Sequence, residues 1–145
     1  MAEYSANAVQ TIPAGGSAVF TTTDIPCRMG LVMHMDDTPS FLLNGRSLCN
    51  CGCSNSYAEY KVTFGANIAV ATGGTAGAIS VALSVDGTGV PASSMIVTPA
   101  ADEEYFAVSK RITVPIFSNC CQTLTVTNTS TQAIQMQNAV IIIER

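Results

Sequence analysis

Charge is what this sequence has least of. Charged residues fill 11% of its 145 positions, against about 25% in an ordinary globular domain. Much of the exterior must then be Thr, Ser, Asn, Gln, Ala and Gly. A lone subunit with that surface would be poorly soluble, which implies a chain that hides surface against copies of itself or inside a larger assembly. The six Lys and Arg are scattered, with Lys110-Arg111 the only pair, and the formal net charge is −4. No basic patch is available to follow phosphates, which argues against a nucleic-acid partner. Tryptophan is absent and only four tyrosines are present, so a sugar platform of exposed aromatics has little to draw on. The longest wholly apolar run, Ala139 to Ile143, is far shorter than a bilayer needs, which excludes a membrane span. The opening MAEYSANAVQ has no basic segment followed by an apolar one. No secretory leader is therefore expected, and synthesis is expected in the cytoplasm. Helical periodicity is missing too: no stretch of ten residues carries a convincing 3.6 period.

What is present is alternation. The stretch Tyr57 to Thr98 organises the chain. Within it Ile79, Val81, Leu83 and Val85 alternate with Ser80, Ala82, Ser84 and Asp86, the period of a half-buried strand. Asp86-Gly87 follows and predicts a hairpin whose turn needs positive φ at Gly87. Upstream, Tyr60, Val62 and Phe64 alternate with Lys61, Thr63 and Gly65. The glycines at 73, 74 and 77 predict a loop between the two strands.

Around this centre, residues 1–7 are expected as a short polar arm and residues 8–145 as a single domain. A chain of this length can bury roughly 68–70% of its unfolded surface. Further strands are expected at 8–12, 17–23, 39–44, 103–114, 122–128 and 133–145, with turns at 13–16, 117–121 and 129–132. Met29 to Met35 alternates Met29, Leu31, Met33 and Met35 on one face with Val32 and His34 on the other. Those methionines suit either an adaptable contact surface or the core. About ten strands, turn signals every 8–12 residues and no helix predict an all-β antiparallel two-sheet sandwich, a jelly roll.

The candidate chemistry is thin. Cys49, Cys51 and Cys53 form C-x-C-x-C in the unpatterned segment 46–56, Cys120 and Cys121 are adjacent, and Cys27 stands alone. Three thiols in five residues with a nearby pair can supply four sulfurs to zinc, but the spacing is not the usual C-x-x-C knuckle. Disulfides formed after release from a reducing cytoplasm, or free thiols, fit the same six cysteines better, and the pairing is open. His34 lacks an orienting third group for a Cys-His pair. Gly73-Gly74 is followed by neither a Lys nor a helix, so it is a hairpin loop rather than a phosphate cradle. Asp102-Glu103-Glu104 has no ligand-spaced partner for calcium and fits a solvated turn. Asn128-Thr129-Ser130 matches a glycan acceptor only on a secretory route. No catalytic residue, cofactor or metal is expected, and the residues point to a non-enzymatic assembly subunit.

Several phrases are familiar. Residues 7–12 with Gly15-Gly16 and Phe20, Tyr60 to Phe64 with Asn67, Ile79 to Gly87, Leu124 to Asn128, and Asn138 to Ile142 together resemble trimeric C1q/TNF-like jelly rolls. YKVTFGANIAV, MIVTPAA and NAVIIIER look similar to small proteins of tailed phages that infect Gram-positive gut bacteria. The resemblance covers almost the whole chain. It implies a virion surface protein, a homotrimer that decorates or cements a capsid, with a major capsid protein as partner. Tyr60, Val62, Phe64, Ile79, Val81, Leu83, Val85, Val140, Ile141, Ile142 and Ile143 would then form core and trimer interface. The same fold caps bacterial collagen-like filaments and spore-surface ones, but no Gly-X-Y repeat is present here. A second reading is a glycan-gripping head fibre displaying residues 46–56 and 24–28.

Overall fold

The computed structural model describes residues 1–45, 57–117 and 121–145. Among them the strands, in chain order, are β1 (Ala2–Ala6), β2 (Gln10–Ile12), β3 (Thr22–Ile25), β4 (Val32–His34), β5 (Phe41–Asn44), β6 (Ala58–Val70), β7 (Ile79–Val85), β8 (Thr88–Gly89), β9 (Met95–Val97), β10 (Phe106–Ile116), β11 (Cys121–Asn128) and β12 (Ile134–Glu144). A front sheet runs β10-β6-β12-β1-β3, with β2 also on β12; a back sheet runs β4-β5-β11-β7-β8, with β9 also on β7. All pairs are antiparallel. From β5 to β6 to β7, and again from β10 to β11 to β12, the chain changes sheet at each step. Within a sheet, partners come from distant parts of the chain: β1 and β6 flank β12, and β5 and β7 flank β11. This is the all-β jelly-roll sandwich that the alternation predicts, with twelve strands rather than about ten.

The central elements form where their periodicity places them. β7 spans the expected residues, and Asp86 (φ 48°) with Gly87 (φ 80°) makes the two-residue turn into β8. Two successive positive φ values match the right-handed twist of the flanking strands. Tyr60, Phe64, Phe20, Phe41, Leu43 and Ile68 are fully buried between the sheets. The Tyr60 hydroxyl, with one proton, reaches the carbonyls of Leu31 (2.9 Å), just before β4, and of Asn44 (2.7 Å), at the end of β5, so the largest core side chain also satisfies backbone at the ends of two strands.

Some elements depart from expectation. Residues 2–6 are not an arm. They form β1, with Ala2, Tyr4 and Ala6 buried and Ala2 to Ala6 in register with Ile143 to Ala139. β12 is the reason: its edge away from β6 would otherwise lie open along a run of aliphatics. The strand expected at 8–12 is shorter, starting at Gln10. The strand expected at 17–23 is not continuous: Ser17 bridges Thr127 of β11 and Phe20 bridges Thr38 between β4 and β5, both on the back-sheet side, and the chain reaches the front sheet at Thr21, just before β3 begins at Thr22. β10 starts three residues later than expected and runs through Pro115, which the edge position tolerates because no outer ladder needs its N–H.

Candidate assembly face

The outward face of the front sheet is built by β10, β6, β12 and β1. Register places Glu3, Ile142, Thr63 and Arg111 in one row across it. The next row is Ser5, Val140, Gly65 and Ser109, and a third holds Gln137, Asn67 and Ala107. Charge is confined to one end, where Arg111 and Glu144 make an exposed ion pair at 2.8 Å beside Lys61. The middle of the face is small, neutral and of low relief.

Two features produce that face. The first is a bulge in β12. Asn138 has φ 51°, and pairing with β6 jumps from Gln137–Asn67 to Val140–Gly65, so two residues oppose one. The bulge reverses parity: Ile134 and Met136 point inward before it, Ala139, Ile141 and Ile143 after it. Val140 and Ile142 are thereby turned outward, where they are only half-buried. The second feature is Gly65, midway along a 13-residue strand. A Cβ there would meet nothing nearer than Ser109 Oγ and the Val108 carbonyl, both at 3.7 Å, and its φ is not in the left-handed region. The chain's own packing does not require glycine at this position, and a strand-interior glycine costs stability.

The residues singled out in sequence are divided by the structure. Tyr60, Val62, Phe64, Ile79, Val81, Leu83, Ile141 and Ile143 lie in the core between the sheets. Val85 is half-buried and packs against that core. Val140 and Ile142 alone of that set face outward on the front sheet. Glu3, Ser5 and Ser109, which share the face with them, carry no sequence signal, and Gly65 and Asn67 stand out only within the phrase YKVTFGANIAV.

Cys49, Cys51, Cys53 and Cys120 lie outside the described residues, as does all of 46–56. Among the described residues, Asn44 pairs with Cys121 in the back sheet and Ala58 with Ile116 in the front sheet, at one end of the sandwich. Beside them Tyr57 and Phe117 are exposed and touch, with ring centroids 5.5 Å apart. Cys27 is a free thiol, partly exposed. Burial pushes the thiol up, but backbone N–H groups of Met29, Val32 and Leu31 and the N-terminal ammonium outweigh burial and hold it below the ordinary thiol range.

His34 is packed rather than poised. Its ring stacks on Phe41 at 4.3 Å and meets Tyr4 edge-on at 4.8 Å. Nδ1 lies 2.9 Å from the Ser40 carbonyl and Nε2 3.2 Å from that of Phe20, so both nitrogens face backbone. The 73–77 loop binds its own chain: Gly73 N–H donates to Asp102 and Thr75 N–H to Gln132. Glu103 accepts from Thr72, and Glu104 from the Ala100 N–H. The three carboxylates thus pin loops instead of converging, and no group of three His, Cys, Asp or Glu able to hold a metal occurs among the described residues.

No protein-family model matches the chain, and no curated protein matches it in sequence. Among solved structures it is similar to the C-terminal domain of EclA, a sugar-binding protein, at 14% identity and a TM-score of 0.41, over 96% of this chain and 79% of that one. It is similar to CBM35 from Paenibacillus barcinonensis at 18% identity and a TM-score of 0.37, over 99% and 98% of the two chains. A third is an isomalto-dextranase of Arthrobacter globiformis T6 complexed with panose, at 15% identity and a TM-score of 0.34, over 92% of this chain but 23% of that one. At these identities and scores the likeness assigns this chain neither a ligand nor an activity.

Proposed function

We propose that this chain is a non-enzymatic assembly subunit whose copies meet through the outward face of the front sheet. The observation that carries this reading is Gly65. A glycine that the subunit does not need, at the centre of a flat neutral face beside outward Val140 and Ile142, suits the close approach of another backbone. The scarcity of surface charge points the same way. Stoichiometry and setting are drawn from the sequence resemblance: a C1q/TNF-like homotrimer, made in a bacterial host's cytoplasm and seated on the surface of a tailed-phage virion. There it adds buried area across seams between copies of the major capsid protein.

The test is Gly65→Ala, followed by sedimentation velocity and thermal melting. In the isolated subunit the added methyl should be neutral or stabilising by about 0.5–1 kcal/mol. In the assembly it should collide with the neighbouring copy and shift the population toward monomer. An assembly unchanged by Gly65→Ala and by Ile142→Asp would overturn the reading.

A second reading, a glycan-binding head fibre, is favoured by one observation. Tyr57 and Phe117 form an exposed aromatic pair at one end of the sandwich, and sugar rings stack on such faces. Glycan-array binding that is lost in Tyr57→Ala or Phe117→Ala would support it.

A further inference from the structure

Exposed large hydrophobics are unevenly placed on this molecule. Met29, Met33 and Met35 lie along one side, where β3 ends the front sheet, β4 ends the back sheet and residues 26–31 join them. Met29 and Met35 are 70% and 74% exposed and Met33 47%, while Val32 between them is buried. The period-2 methionine row therefore faces solvent, not the core. Among the described residues β4 is paired with one strand, β5, and on its other side the Val32 N–H turns to the Cys27 sulfur. This side lies off the outward face of the front sheet, so contacts made here are independent of that face.

The chain around β4 is chemically symmetric about Val32. Arg28, Met29 and Leu31 precede it as Met33, Met35 and Asp36 follow it. Charge is split accordingly. Arg28 sits at one end of the row, and Arg145 lines the adjoining cavity with Cys27, Met29 and Leu31. Asp36 and Asp37 sit at the other end, where Asp36 accepts a hydrogen bond from Thr23. Neither Arg28 nor these carboxylates make an ion pair among the described residues.

A surface with an apolar centre, one basic end and one acidic end is complementary to itself when turned over. A twofold axis near Val32 sets Arg28 of one copy against Asp36 of the other and Met29 against Met35, with each contact made twice. We propose that this edge is a twofold interface between copies of the chain, seated on the methionine row and registered by the Arg28–Asp36 pairs. The flexible thioethers fill the contact. If the front sheet also assembles copies, the same edge links those assemblies to one another.

Sedimentation velocity over a concentration series of the full chain tests this. The wild type should show an association step that Met33→Lys with Met35→Lys removes, melting temperature unchanged. Arg28→Asp and Asp36→Arg, each alone, should weaken that step by about tenfold. Combining the two reversals should restore it, because the pair is re-formed with its signs exchanged. Ile142→Asp should leave the step in place, which separates this edge from the front sheet. A wild type that shows no such step, a step indifferent to the lysines, or reversals that fail to rescue one another would each overturn the proposal. A sole association step lost in Ile142→Asp alone would do so as well.

Discussion

Asn128 donates its side-chain amide to the carbonyl of Ile12 at 3.0 Å, joining residues 116 apart in the chain. The same Nδ2 lies 3.2 Å from the Pro13 carbonyl and 2.9 Å from that of Gln132, and Oδ1 accepts the Ser130 N–H at 2.9 Å. Its backbone pairs with Gly15 and Gly16. One buried amide thus ties the end of β2 to the turn that precedes β12. Asn128→Asp removes the donor hydrogens and leaves carbonyls without partners, at about 1–3 kcal/mol for each buried group orphaned. Urea denaturation should show a loss in that range or greater; a loss within error would mean that water serves the turn equally well. The burial also bears on the Asn128-Thr129-Ser130 acceptor sequence, since a committed amide is not available for a glycan in the folded chain.

Ile141 and Ile142 separate folding from assembly. Ile141 is buried between the sheets and Ile142 faces outward, a consequence of the bulge at Asn138. Ile141→Asp places an unpaired carboxylate in the core, at several kcal/mol against a total stability of about 5–15 kcal/mol, and should abolish soluble folded protein. Ile142→Asp should leave circular dichroism and melting unchanged while abolishing assembly through the front sheet. Equal behaviour of the two variants would mean that the parity of β12 is the reverse.

That pair shows where the sequence is legible and where it is not. β7 and its turn can be read directly, because four branched residues alternate with small ones and Asp-Gly closes the run. β12 reads as apolar on both faces, and a local pattern has no means of marking where a bulge shifts parity. Only its partner does so, by offering one residue against two. β1 is hidden because Ala-Glu-Tyr-Ser-Ala contains one bulky apolar residue, and its pairing partner is the opposite end of the chain. The methionine row is visible as a period, but its side is not. Val32 and His34 take the inward face because Tyr4, Phe20 and Phe41, from three other segments, pack there. The assembly face is the least legible part. Its distinguishing residue, Gly65, is informative only once a Cβ can be tried against the neighbouring strand.

Asp86 gives the β7–β8 turn a dependence on acid. Its carboxylate accepts the Thr123 N–H at 2.8 Å and the Gln122 amide at 2.9 Å, and these bonds hold it below the ordinary carboxylate value. A carboxyl depressed in the folded state stabilises the fold above its unfolded value, and that contribution is lost as pH falls through and below it. Asp86→Asn keeps a residue suited to the turn but removes the charged acceptor. The stability difference between wild type and Asp86→Asn should therefore shrink as pH drops from 7 toward 3. The effect should be small, because the group is exposed to solvent. A difference constant across that range would show that the charge contributes nothing.

Cys27 supplies a chemical readout of the segment between β3 and β4. Burial disfavours its thiolate, but three backbone N–H groups and the N-terminal ammonium favour it more, so the thiol ionises below its ordinary range. Alkylation proceeds through the thiolate. Iodoacetamide labelling of Cys27, followed by peptide mass mapping, should reach half its maximal rate at lower pH in the folded chain than in urea. Acetylating the N-terminus removes one of the favourable charges and should move that midpoint upward without unfolding the protein. By the same linkage the depressed thiol contributes its full stabilisation above its unfolded value and loses it as pH falls through its lower folded value. A folded midpoint at or above that of the unfolded chain would mean that burial outweighs the backbone donors, and that the turn at residues 28–31 does not cradle the sulfur.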